Sequence, residues 1–203
     1  MNDLQNSDLI LTELRPPAAI ITFNRPATRN ALSAEMQGRL EQVVADLNSR
    51  RDIGTLIFTG SDNAFLSGAN IRELTLLDEQ SALAFSERGQ GLCQRIAASS
   101  QRSIAAINGF CMGGGLDLAL ACDYRIATPA AEFAHPGSQL GIITGWGGTQ
   151  RLPRVIGRNQ AIEFFATARR LNAMEAVKLG LVHVVDPSPV EAALKLGVGP
   201  FLA

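Results

Sequence analysis

Leu56-Ile57-Phe58-Thr59, bounded by Gly54 and Gly60, and Ile104-Ala105-Ala106-Ile107 are short apolar runs without polar alternation. A strand with no polar face is covered on both faces, as in parallel sheets flanked by helices. Helical sequence from about Ser81 to Ala98 joins the two runs. A third cycle follows: a helix opening at Gly113-Gly114-Gly115, the strand-like Tyr124-Arg125-Ile126-Ala127 and an extended piece around Phe133. The chain therefore reads as α/β.

Two β-like runs, Leu9 to Leu14 and Ala18 to Phe23, open the chain as a hairpin across Arg15-Pro16-Pro17. Ser33 then caps a helix that presents Met36, Leu40, Val43, Val44 and Leu47 on one face and ends near Asn48. Beyond Gly147-Gly148, helices are predicted at about 149–155 and 159–167, and a third begins with Asn172 and Glu175 as a capping box. Leu181 to Val185 reads as a late extended segment. Residues 1–186 form one core domain in this reading, and 187–203 a short tail that frays around Gly197-Val198-Gly199-Pro200.

At 203 residues and 46% hydrophobic, the chain is large enough to bury a substantial core. Eighteen Lys and Arg against nineteen Asp and Glu leave a net charge of -1, so no global field recruits nucleic acid or an anionic membrane. Any anionic ligand is met locally. Cys93, Cys111 and Cys122 lack metal-like spacing and are expected as buried, reduced thiols. With Asp3 and Asp8 near the start, no signal-peptide pattern and no membrane-length apolar run, the expected location is cytoplasmic.

Two glycine-bearing loops follow apolar strands: Ala64-Phe65-Leu66-Ser67-Gly68-Ala69-Asn70, and Asn108-Gly109-Phe110-Cys111-Met112-Gly113-Gly114-Gly115. Open α/β folds bind ligands at such strand ends. Glycine lets a backbone N–H approach a ligand oxygen where a Cβ would intrude, and a helix start favours negative charge. The alternative is that the triple glycine only allows a helix to pack closely on the sheet.

Six ordered segments narrow this choice: Asn24-Arg25-Pro26 with Asn30-Ala31-Leu32; Phe65 to Ile71; Ile104 to Gly109; Gly113-Gly114-Gly115 with Asp117-Leu118-Ala119; Ala121-Cys122-Asp123; and Gly147 to Leu152. Together they resemble the enoyl-CoA hydratase/isomerase, or crotonase, family from about residue 8 to residue 186. The resemblance implies a crotonase/Clp-protease-like spiral of repeated β-β-α units, assembled as trimers or hexamers, that binds acyl-CoA or enoyl-CoA thioesters. Coenzyme A would enter as part of the substrate, with no separate cofactor or metal.

By position, Ala69 and Gly114 match the residues whose N–H groups form the family's oxyanion hole. Such donors stabilise an enolate because fixed dipoles meet the developing charge without reorganising. Arg29 and Ala31, with Ser67, Gly68, Ala69, Asn70 and Ile71, resemble the groove for the CoA nucleotide and pantetheine; a solvated charge is the alternative for Arg29.

The family's hydratases use two glutamates for proton transfer. Asp117 stands at the first position, as a shorter base or as a helix cap, and Gly137 at the second, where it offers no side chain. Gly145 stands where dehalogenases and dienoyl isomerases of the family carry an aspartate. His135, two residues before Gly137, is a candidate replacement acid or base, or a packed histidine. Trp146 matches a loop bordering the acyl pocket, where it narrows the site or packs in the core. Family members continue past the Val184-Val185 region with helices that close the site, whereas this chain ends at Ala203, so a more open site or cover from another subunit is expected.

The expected function is enoyl-CoA hydration or isomerisation through a thioester enolate. The alternative is a non-catalytic acyl-CoA binder or assembly subunit. A serine hydrolase is disfavoured because Cys111 or Met112 occupies the position nearest the glycines.

Overall fold

In a computed structural model that describes residues 9–197, β1 (Ile10–Arg15) and β2 (Ala18–Phe23) form the expected antiparallel hairpin, paired from Ile10 opposite Phe23 to Arg15 opposite Ala18. α1 (Ala34–Asn48) follows, with the Ser33 side chain accepting the Met36 N–H and the predicted Met36 to Leu47 face buried.

Three strand pairs then repeat one plan. β3 (Thr55–Gly60) and β4 (Ala64–Leu66) lead into α2 (Ile71–Leu74) and α3 (Glu79–Ala97). β5 (Arg102–Ile107) and β6 (Phe110–Met112) lead into α4 (Gly114–Ala121). β7 (Tyr124–Ala127) and β8 (Glu132–Ala134) lead through a 3-10 turn at Pro136–Leu140 into α5 (Gly148–Ile156) and α6 (Arg158–Thr167). β9 (Leu171–Asn172), α7 (Ala173–Lys178), β10 (Val184–Val185) and α8 (Pro189–Gly197) complete the described chain.

The first strand of each pair joins one sheet and the second joins another. Among the described residues the sheets are ordered β1-β2-β3-β5-β7-β10 and β4-β6-β8-β9. Pairing is parallel except at β1 with β2 and at β8 with β9. The chain passes between sheets at Gly60 and Gly109, where an added Cβ would run into the Ala64 and Asn63 carbonyls respectively. Only glycine fits that approach.

The large sheet buries both faces, as its apolar runs require. Ala19, Ile21, Phe23, Leu56, Phe58, Ala105 and Ile107 face the core shared with α1, α3 and α4. Ile20, Ile57, Ile104, Ala106 and Ile126, on the other face, pack against α8 through Ala193.

This packing corrects the reading of 187–203 as a tail. Pro189–Gly197 is a helix whose Val190, Ala193 and Leu194 cover the sheet, and the Thr55 hydroxyl donates to the Gly197 carbonyl at 3.2 Å. The rest of that tail, 198–203, lies outside the described residues. The loops read at residues 64–70 and 108–115 contain β4 and β6, three residues each and too short for a periodic pattern. Within Leu181 to Val185, only Val184 and Val185 pair, with Ile126 and Ala127.

All three cysteines are buried and free. Burial, with the Asp117 charge nearby, pushes the Cys93 thiol up to about 12, and burial raises Cys111 and Cys122 as well. Thiolate is the reactive form. An aromatic disulfide reagent at pH 8 is therefore expected to leave all three unmodified in the folded protein and to titrate three thiols after denaturation; rapid labelling of the native protein would contradict this packing.

Candidate active site

The repeat plan brings the two glycine loops against each other. Gly68 follows β4 with φ at 103°, and Gly113 follows β6 with φ at 51°, conformations that strongly favour glycine. An added Cβ on Gly68 would lie 3.1 Å from the Met112 carbonyl and 3.6 Å from the Gly114 nitrogen, so the backbones are nearly touching. The first loop is pinned from outside: Leu32 N–H donates to the Gly68 carbonyl at 2.8 Å, and Asn70 N–H to the Leu32 carbonyl at 3.1 Å.

Ala69 and Gly114 line one cavity of about 330 Å³. Gly114 is the first residue of α4, where an N–H has no acceptor within the helix and the dipole is positive. The cavity wall is otherwise mainly apolar, with Ile71, Leu74, Phe85, Leu140, Ile142 and Trp146. Among the described residues that line it, His135 alone is titratable.

His135 reaches the cavity because β6 and β8 run side by side. Met112 pairs with Ala134, and Gly113 N–H donates to the Ala134 carbonyl at 2.9 Å, which sets His135 beside the start of α4. The imidazole is almost fully buried, its ring 4.9 Å from that of Phe165.

Asp117 lies behind this wall, outside the cavity lining, fully buried on α4. Its Oδ2 accepts a hydrogen bond from the Thr144 hydroxyl, and its Oδ1 is 3.2 Å from His135 Nε2. That contact is short enough for an ion pair, yet neither atom has an aligned hydrogen-bond partner. Gly148 makes room for the carboxylate, since an added Cβ there would collide with Asp117 Oδ1. Asp117 therefore faces Thr144 and His135 from the fourth position of its helix, and not the first-turn N–H groups that a cap would satisfy.

Trp146 is buried between Gly89 of α3 and Gly114. An added Cβ on Gly89 would penetrate the indole, one on Gly114 would lie 3.0 Å from it, and Phe85 packs at 5.3 Å. The ring is thus both core and cavity wall.

The outer residues take other roles. Ser67 and Gly68 line the cavity mouth, but the Ser67 hydroxyl donates to the Thr28 carbonyl at 3.1 Å. Arg29 is exposed, with its guanidinium 4.7 Å over the Phe110 ring. Ala31 lies in the segment that pins the Gly68 loop, and the Asn70 side chain caps α2 by accepting the Arg72 N–H at 3.2 Å. None of Arg29, Ala31 or Asn70 lines the cavity. Gly137 does, and an added Cβ there would lie 2.7 Å from the Ile142 carbonyl. Thr144, Phe85 and Gly89 were missed in the sequence because no local pattern links them to Asp117 or Trp146.

A spiral of two-sheet repeats that brings two glycine-bearing loops together beside an apolar cavity is the crotonase fold. The chain belongs to the enoyl-CoA hydratase/isomerase family, whose model it matches over residues 17–195. YngF of Bacillus subtilis is 46% identical over 181 residues, 88% of this chain and 70% of its own. A crotonyl-CoA hydratase of Syntrophomonas wolfei is 39% identical over 196 residues, 96% of this chain and 75% of its own. The crystal structure of an enoyl-CoA hydratase from Bacillus anthracis superposes with a TM-score of 0.89 at 35% identity, covering 93% of this chain and 75% of that one.

Proposed function

We propose that the cavity binds the acyl end of an enoyl-CoA thioester and moves a proton at C2 or C4 through an enolate. The observation that carries this reading is that Ala69, Gly114 and His135 line one cavity where the Gly68 backbone closely approaches that of Gly113 and Gly114. The thioester oxygen would sit between the two N–H groups. Each donor in a dry site is worth about 3 kcal/mol.

In this reading His135 exchanges the proton with substrate, and Asp117, itself steadied by Thr144, orients the imidazole from behind once their unaligned 3.2 Å contact closes into a hydrogen bond with substrate bound. That assignment reverses the order in which the sequence suggested the two residues. The glutamates of the family's hydratases would be replaced by Asp117 and Gly137, leaving one proton-transfer unit on one side of the substrate. A single unit is sufficient for a 1,3-proton shift, whereas hydration needs a placed water as well. Isomerisation is therefore the favoured reaction. The CoA nucleotide and pantetheine would lie along Arg29, Ala31 and Ser67 to Ile71, no cofactor besides the substrate's own coenzyme A is required, and the molecule would assemble as a trimer or hexamer.

Turnover of 3-butenoyl-CoA to crotonyl-CoA, and of crotonyl-CoA to its hydrate, tests the reading. Conversion of the first at the higher rate is expected; binding of both without turnover of either would instead establish a non-catalytic binder. Asp117→Asn is expected to lower kcat by on the order of 10²-fold while affinity stays within a few-fold, because the carboxylate orients the base without touching substrate. Unchanged kcat in that variant would remove Asp117 from the mechanism.

A further inference from the structure

We propose, resting on the reading of this cavity as an acyl-CoA site, that the Ser86 hydroxyl sets its specificity by taking a hydrogen-bonding oxygen, keto or hydroxyl, carried on the acyl chain beyond C3.

α3 presents one stripe of residues to the cavity at helical spacing, Ala82, Phe85 and Ser86, with Gly89 a turn further on against the Trp146 indole. Ser86 is the polar member of that stripe. A serine inside a helix ordinarily bonds the carbonyl one turn back or turns its hydroxyl to bulk water. Among the described residues the Ser86 hydroxyl has no hydrogen-bond partner, and the residue lines the cavity. The other hydroxyl protons of the wall are committed, that of Ser67 to the Thr28 carbonyl at 3.1 Å and that of Thr144 to Asp117. Ser86 is therefore the one described hydroxyl on the wall with its proton left for a ligand.

The surroundings of this hydroxyl keep it reachable and fixed. A Cβ added at Gly145 would lie 2.7 Å from Ser86 Oγ, so glycine at that position leaves the oxygen uncovered. The Gly145 carbonyl accepts the Gln90 side-chain amide at 2.8 Å, which ties the facing loop to α3 one turn beyond Ser86. Phe85 packs on Trp146 at 5.3 Å, and the indole spans the gap from Gly89 of α3 to Gly114 of α4. With the thioester oxygen at Gly114, C2 and C3 lie nearest the α4 side, and Ser86 on the α3 side meets the chain further out. A hydroxyl held on a helix in an apolar wall adds affinity for a matching oxygen and is left unpaired against a plain alkyl chain.

Calorimetric titration of the full chain with hexanoyl-CoA and with its 4-oxo, 5-oxo and 6-hydroxy derivatives tests the assignment. At least one oxygenated ligand is expected to bind about fivefold more tightly than hexanoyl-CoA, the net worth of one neutral hydrogen bond. Ser86→Ala should bring that ratio to one, and Ser86→Thr, which keeps the hydroxyl, should retain it. Equal affinities across the wild-type series would overturn the proposal and leave the enolate reading standing. So would a preference that survives Ser86→Ala, or one lost equally in Ser86→Thr, which would assign it to packing. Failure of every CoA ester to bind would overturn both.

Discussion

Substitution of His135 by alanine is expected to lower turnover of the better unsaturated substrate by on the order of 10² to 10⁴-fold, the usual contribution of a positioned acid or base. The size follows from the composition of the wall: among the described lining residues no other side chain titrates, so no neighbour takes over the proton. Affinity for the CoA ester should change by no more than a few-fold, because the imidazole is almost fully buried and adds little contact area. Loss of the ring also strands the Asp117 carboxylate in an apolar surrounding, so thermal stability should be measured alongside. A folded variant with full activity would place the proton transfer elsewhere.

Gly114→Pro has the second large expected effect. Proline suits the first position of a helix and deletes only the N–H that has no acceptor there, so the fold tolerates it better than elsewhere in α4. Loss of one oxyanion donor should cost on the order of 10² to 10³-fold in kcat. The added ring also crowds Trp146, whose indole would lie 3.0 Å from a new Cβ. Gly114→Ala supplies the control, since it adds the Cβ and keeps the N–H. Equal losses in the two variants would show that crowding, and not the missing donor, is responsible.

Much of the frame was legible because it is written in local patterns. The unbroken apolar runs at 56–59 and 104–107 implied strands covered on both faces, and the structure covers them with the α1, α3 and α4 layer on one side and α8 on the other. Ser33 and Asn172 marked helix starts through side-chain caps that the structure contains. The small sheet was not legible, since strands as short as Ala64–Leu66 and Phe110–Met112 carry no periodicity and exist only because the spiral stacks them. The meeting of the two loops was readable from the glycines, whose φ values and close approach are backbone properties. The carboxylate's surroundings were not. Asp117, His135 and Thr144 meet through β6–β8 pairing and the loop before α5, contacts between residues up to 27 positions apart.

The central claim is that a thioester enolate forms in this cavity, and deuterium exchange into butyryl-CoA tests it without needing a reactive double bond. Acyl-CoA recovered intact from D2O after incubation with the protein should carry deuterium at C2, with the rate cut in parallel by His135→Ala and Gly114→Pro. Butyryl-CoA that binds yet keeps its C2 protons would contradict the account.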